Sequence, residues 1–132
     1  MDISKSIGLF DSKKYQKLSL KYEKKYKKAK PFPNIKFDNF LKKDIAENLS
    51  QLFPDYYNGK WFAYKNFNTT KNSNLKKSIQ DERNFPLFFR SIFREFNSRQ
   101  FLLFLETLTG IENLIPDPYF LGGGIHSSKK GG

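Results

Sequence analysis

The sequence contains no cysteine and one histidine, His126. The first absence excludes disulfides, thiolate metal sites and cysteine nucleophiles. The second means that these residues alone cannot build a metal centre needing two imidazoles and a carboxylate, such as a mononuclear non-haem iron site. Ser127 and Ser128 stand beside the histidine, but nothing in the spacing supports a Ser-His-Asp arrangement. No run approaches the 18 uninterrupted apolar residues of a membrane span. The opening MDISKSIGLF lacks a basic stretch followed by a long apolar one, so no secretory signal is expected. Freedom from cysteine fits a reducing compartment, and a cytoplasmic location is expected. Glycine is scarce until the end: Gly122, Gly123, Gly124, Gly131 and Gly132 are five of the eight.

Aromatic residues are abundant. The 15 Phe, 7 Tyr and single Trp let a 132-residue chain build a substantial core, because each ring buries much area. Charge is also abundant and uneven. Residues 1–30 hold ten Lys against Asp2, Asp11 and Glu23, a net of +7 (10 − 3), of the +11 carried by the whole chain. The composition therefore divides at residue 30, into a basic N-terminal arm or helix (1–30) and a remainder (31–132).

Within the arm, Tyr15, Leu18, Tyr22 and Tyr26 recur at spacings of three and four, which predicts a helix over 11–30 with one apolar stripe and a lysine-covered remainder. Such a helix suits either a nucleic-acid or acidic-membrane contact, or a solvated surface whose stripe docks on the domain. The second reading is preferred, since a charge run is usually a solvated face. Pro31 and Pro33 end the helix.

Further along, Ile35, Phe37 and Asn39 alternate with Lys36 and Asp38, predicting a short strand. Ile45, Ala46, Leu49, Leu52 and Phe53 predict a helix over 42–53 that Pro54 closes, with a turn at 55–59 and a strand at 61–67. From Leu75 the pattern is helical. Residues 85–96 carry Leu87, Phe88, Ile92, Phe93 and Phe96, and the next helix carries Phe101, Leu102, Leu105 and Leu108. Asn97 with Gln100 forms a candidate capping box, Ser98 is the alternative cap, and Gly110 is the expected C-terminal cap. Beyond Pro116 and Pro118 the chain is expected to run strand, glycine stretch, strand.

The glycines 122–124 match neither a P-loop nor GxGxxG after a strand. Taken alone, they allow a bulge or a close backbone approach in a sheet. In context, FNSRQFLLFLETLTGIENLIPDPYFLGGGIHSSKKGG, from Phe96 on, resembles the iron(II)- and 2-oxoglutarate-dependent oxygenases of the prolyl-hydroxylase-like group. That group shows a phrase like FLExLTGI, then LIPDPY, then GGGxH, then paired glycines. FDNFL at 37–41, LFPDY at 52–56 and WFAYKN at 61–66 are similar to its opening strand, helix and strand.

The resemblance implies an α+β fold, with helices packed on the first strands of an incomplete double-stranded β-helix, the jelly roll. It implies Fe(II) and 2-oxoglutarate as cofactor and cosubstrate of the complete domain. Such a domain splits 2-oxoglutarate with dioxygen into succinate and carbon dioxide and hydroxylates a C–H bond. The substrate stays open among a prolyl or lysyl side chain, a free amino acid and a carbohydrate-linked group. Tyr119, Gly122, Gly123, Gly124 and His126 are implied to lie by the cosubstrate or substrate pocket. Lys129 and Lys130 are expected to face solvent, with no carboxylate-binding role.

The group's H-x-D strand, its distal His and its basic residue follow the paired glycines, so residues 1–132 are expected to be the front portion of the domain and inactive alone. A downstream polypeptide is the expected partner. A nucleic-acid partner is disfavoured, since most aromatics fall at core spacing and no helix-turn-helix, zinc-finger or RNP pattern is present.

Overall fold

A computed structural model of the chain describes residues 12–57, 59–63, 76–120 and 123–130. In chain order they form α1 (Ser12–Lys28), α2 (Lys43–Gln51), β1 (Phe62–Ala63), β2 (Lys76–Ile79), a 3-10 turn (Glu82–Asn84), α3 (Leu87–Phe96), α4 (Arg99–Thr109) and β3 (Ile125–Ser128). The fold is α+β. No helix among the described residues is long and apolar enough to cross a membrane. The chain divides into two compact units: Met1–Asn48 with Ser91–Pro116, and Leu49–Arg90 with Asp117–Gly132.

In the first unit α1 packs along α4. Neither glycine nor proline interrupts α1, Lys25, Lys27 and Lys28 sit in its last turn where cations suit the helix dipole, and Glu23 pairs with Lys27 at 2.7 Å. Its predicted stripe docks in part, with Leu18, Tyr22 and Tyr26 half-buried. Tyr15 is buried, and fully buried Ser19 turns its hydroxyl onto the Gln16 carbonyl at 2.9 Å.

Around Tyr15 the rings gather, with Phe40 at 5.1 Å, Phe104 at 5.3 Å and Phe101 edge-on at 5.8 Å. Phe37 joins through Phe40 at 5.7 Å and Phe104 at 6.1 Å. This cluster overturns the strand predicted at 35–39. Alternation would send Phe37 and Phe40 to opposite faces, whereas both enter one cluster. The segment is irregular, with Asn39 at φ 54°.

α4 is bounded as its sequence suggests, with one correction. Ser98, not Asn97, is the N-cap: its Oγ accepts from the Phe101 N–H at 3.2 Å. Asn97 instead donates its side-chain amide to the Phe93 carbonyl. Gly110 closes the helix at φ 77°, its N–H on the Glu106 carbonyl at 2.8 Å. Leu102, Phe104 and Leu108 are buried, while Phe101 and Leu105 are half-buried. On α3 the buried residues are Phe89 and Ile92, and Leu87 of the expected stripe is exposed.

The second unit holds a three-stranded antiparallel sheet in the order β1-β2-β3. β2 lies where helix was predicted. Leu75 and Ile79, four apart, fit a helical stripe, but pairing with residues 125–128 decides the outcome. The predicted strand 61–67 is described only as far as β1; residues 64–75 lie outside the described ones. The turn before β1 forms as expected. The Asp55 carbonyl accepts from the Gly59 N–H at 2.9 Å and the Trp61 indole at 2.7 Å, and the Asp55 carboxylate accepts from the Tyr57 N–H at 2.9 Å. Buried Phe85 and Phe120 meet at 6.2 Å, and Phe89 meets Phe53 edge-on at 6.0 Å.

Candidate functional site

The approach to β3 begins at Asp117. Its carboxylate accepts from the Tyr119 N–H at 3.0 Å, the side-chain turn that aspartate forms readily. Phe120 follows at φ 51° with its ring buried, and its carbonyl accepts from the Gly123 N–H at 3.0 Å. So a turn, not the predicted first strand, occupies residues 118 and 119. Gly122 lies outside the described residues.

Gly124 has φ 154°, and a Cβ built on it would run into the Ile79 carbonyl. Here the glycine reading holds in its plainest form, as a close backbone approach that no side chain permits. The approach delivers Ile125 opposite Ile79, both buried, and His126 opposite Ser78.

Directly opposed residues of an antiparallel pair share a face. One face of β2–β3 therefore carries Lys76, Ser78, His126 and Ser128, in the pairs Lys76–Ser128 and Ser78–His126. His126 is exposed, as are Lys76 and Ser128. Ser78 is fully buried, and among the described residues its hydroxyl has no hydrogen-bond partner. A buried hydroxyl left unpaired costs about 1–3 kcal/mol and is uncommon. Two hydroxyls, an imidazole and an ammonium on one face can hold a polar or anionic group by hydrogen bonds.

The other face of β2, with the residue that follows β3, is tied by cations on rings. The Lys129 ammonium lies 4.4 Å from the Tyr57 ring centre and 4.9 Å from that of Tyr56. Lys77 lies 4.2 Å from the Tyr56 ring and donates to the Tyr56 carbonyl at 3.0 Å. Hydrogen bonding to Tyr57 raises the Lys129 pKa above the ordinary lysine value. Lys129 and Lys130 are both exposed.

The structure thus sets Gly123, Gly124 and His126 on one strand and its approach. Tyr119 is held in a separate turn, 78% exposed, where its N–H rather than its ring is engaged. Sequence reasoning missed Ser78 because it assigned helix from Leu75 on. The signal that finds Ser78 is the cross-strand register, which no local pattern contains. Among the described residues no group of three His, Cys, Asp or Glu is placed to hold a metal.

Compared with models of known protein families, with curated proteins and with solved structures, the chain matches none.

Proposed function

We propose that residues 34–132 are the N-terminal part of a 2-oxoglutarate- and Fe(II)-dependent dioxygenase domain of the prolyl 4-hydroxylase-like group. In this reading β1–β3 are the first strands of the double-stranded β-helix. The observation that carries it is the segment Phe104–His126. Its motif residues fall at positions where the backbone demands them: Gly110 in the left-handed region, Asp117 capping its own turn, Gly124 against the Ile79 carbonyl. β3 is also an edge strand of the described sheet, as a strand with a further neighbour in the complete domain would be.

The residues present do not themselves fit iron, because one histidine cannot supply two imidazole ligands. In the complete domain the ligands would come from the H-x-D strand and the distal histidine. The part assigned to this segment is to deliver the pocket-facing strand, with His126 and buried Ser78 on one face toward cosubstrate or substrate.

The test is made on the complete product of the gene. With Fe(II) and 2-oxoglutarate it should release succinate, and omitting either should abolish release. Mn(II) with 2-oxoglutarate should raise its melting temperature, because a ligand that binds only the native state stabilises it. A folded product that shows neither succinate release nor a 2-oxoglutarate-dependent shift would refute the assignment.

A further inference from the structure

The packing of α1 fixes which of its faces is docked and which is left to its lysines. Tyr15 and Ser19 are buried against the rest of their unit, whereas Lys17, Lys21, Lys24, Lys25 and Lys28 are exposed. At about 100° per residue these five lysines fall within about 100° of the helix circumference, nearly opposite Tyr15 and Ser19. Glu23, the helix's one acid, lies outside that arc and is taken up by Lys27 at 2.7 Å. Among the described residues none of the five ammonium groups is in an ion pair. Lys21 and Lys25 lie 5.3 and 5.9 Å from the Tyr22 ring centre, which gives two of them a fixed footing. Where the arc begins, Lys13, Lys14, Lys17, Leu18 and Lys21 line a shallow concavity of about 420 Å³.

We infer that this lysine arc is a binding surface for the phosphate backbone of nucleic acid, independent of base sequence and of any chemistry at β3. From Lys17 to Lys28 the arc runs about 16 Å along the axis, a length over which one strand of a duplex presents about five phosphates. Charge of one sign, unneutralised and spaced along a line, is what a polyanion recognises. An acidic membrane is the weaker fit. A helix that lies in a lipid interface needs a free apolar face, whereas here Tyr15 is buried, Leu18, Tyr22 and Tyr26 are half-buried, and Leu20 is the one strongly exposed apolar residue described on the helix, at 62%.

The experiment is fluorescence anisotropy with a labelled single-stranded DNA and its duplex, between about 50 and 200 mM salt. Log K should fall linearly with log salt with a slope of about −3 to −4. K17Q/K21Q/K24Q/K28Q should flatten the slope by about three and weaken binding about tenfold or more at the lowest salt. K42Q/K60Q/K76Q/K130Q removes the same charge elsewhere and should have under about a third of that effect on the slope. The pair K21Q/K24Q, a milder change, should give about half the slope change of the four-site arc variant. Equal weakening by the arc and control variants would reduce the effect to bulk charge and overturn the inference. So would absence of binding at low salt, or binding to phosphatidylserine vesicles without binding to DNA.

Discussion

The two units are stabilised by different kinds of information. The first is built from helices whose forming signals are local, the three-and-four spacing of α1 and the Ser98 and Gly110 caps of α4, and which then join through rings far apart in the chain, Tyr15 with Phe101 and Phe104. The second depends on partners far apart in the chain, residues 76–79 with 125–128, and on single backbone positions that tolerate one residue type. The difference teaches where a substitution should hurt. In the helical unit the cost should scale with apolar volume removed. In the sheet unit it should depend on backbone geometry and on one buried polar atom.

The largest effect is expected from Tyr15→Ala, which removes the ring touching Phe40, Phe101 and Phe104. A loss of about 3–5 kcal/mol is expected in urea denaturation. A loss below about 1 kcal/mol would mean the aromatic cluster does not anchor its unit. Gly124→Ala adds only a methyl group, yet should cost about 1–3 kcal/mol, because its φ is unfavourable to any L side chain and the Ile79 carbonyl occupies the Cβ position. Wild-type stability in this variant would break the contrast between volume and backbone.

Ser78→Ala should act in the opposite sense and raise stability by about 1 kcal/mol, since it deletes a buried hydroxyl that has no partner among the described residues. Destabilisation instead would show that the hydroxyl is satisfied in solution. Ser98→Ala should cost about 1 kcal/mol and show first as faster amide exchange at Phe101; unchanged exchange there would contradict the cap.

The smallest effects are those of pH, and they differ in sign between the units. Arg83, through hydrogen bonds from its side chain and backbone, lowers the Asp81 pKa to about 2. A lowered carboxylate favours the fold at neutral pH, and its contribution should fade as pH falls from about 4 through about 2. Burial raises the Glu95 pKa above the ordinary glutamate value. Its contribution is therefore full below the ordinary value and is lost as pH rises through the raised one. Both residues are half-buried rather than enclosed, so solvent screening keeps the effects small. Carboxyl chemical shifts in an NMR titration would report both directions, and reversal of either would discard its assigned cause.

The same contrast explains what the sequence disclosed. α1, α2, α3 and α4, the cap Gly110, the turn at Asp55 and the strand at Ile125 were all legible, because each has a local cause: periodicity, a breaker, or a side chain that bonds its own backbone. The segment 35–39 was not, because its alternation is outweighed by two rings drawn to one cluster. Nor was β2, since the apolar pair Leu75 and Ile79, four apart, suits a helix as well as a strand. At the candidate site Gly124 was legible as a close approach, although its neighbour, the Ile79 carbonyl, was not. His126 was singled out without its opposite, Ser78, because register between distant strands leaves no mark on either one. The sheet's outer edges bear on stability too. If they are completed only in a larger domain, residues 1–132 in isolation should be marginally stable or prone to aggregate. A cooperative thermal transition from a soluble monomer of this length would speak against that.

The oxygenase assignment meets its most direct test in the transcript read past the codon for Gly132. An in-frame H-x-D within about a strand's length, followed later by a second histidine and an arginine or lysine, is the expected result. A reading frame that continues without that triad, or a stop codon directly after Gly132 with no downstream polypeptide that carries the triad, would contradict it.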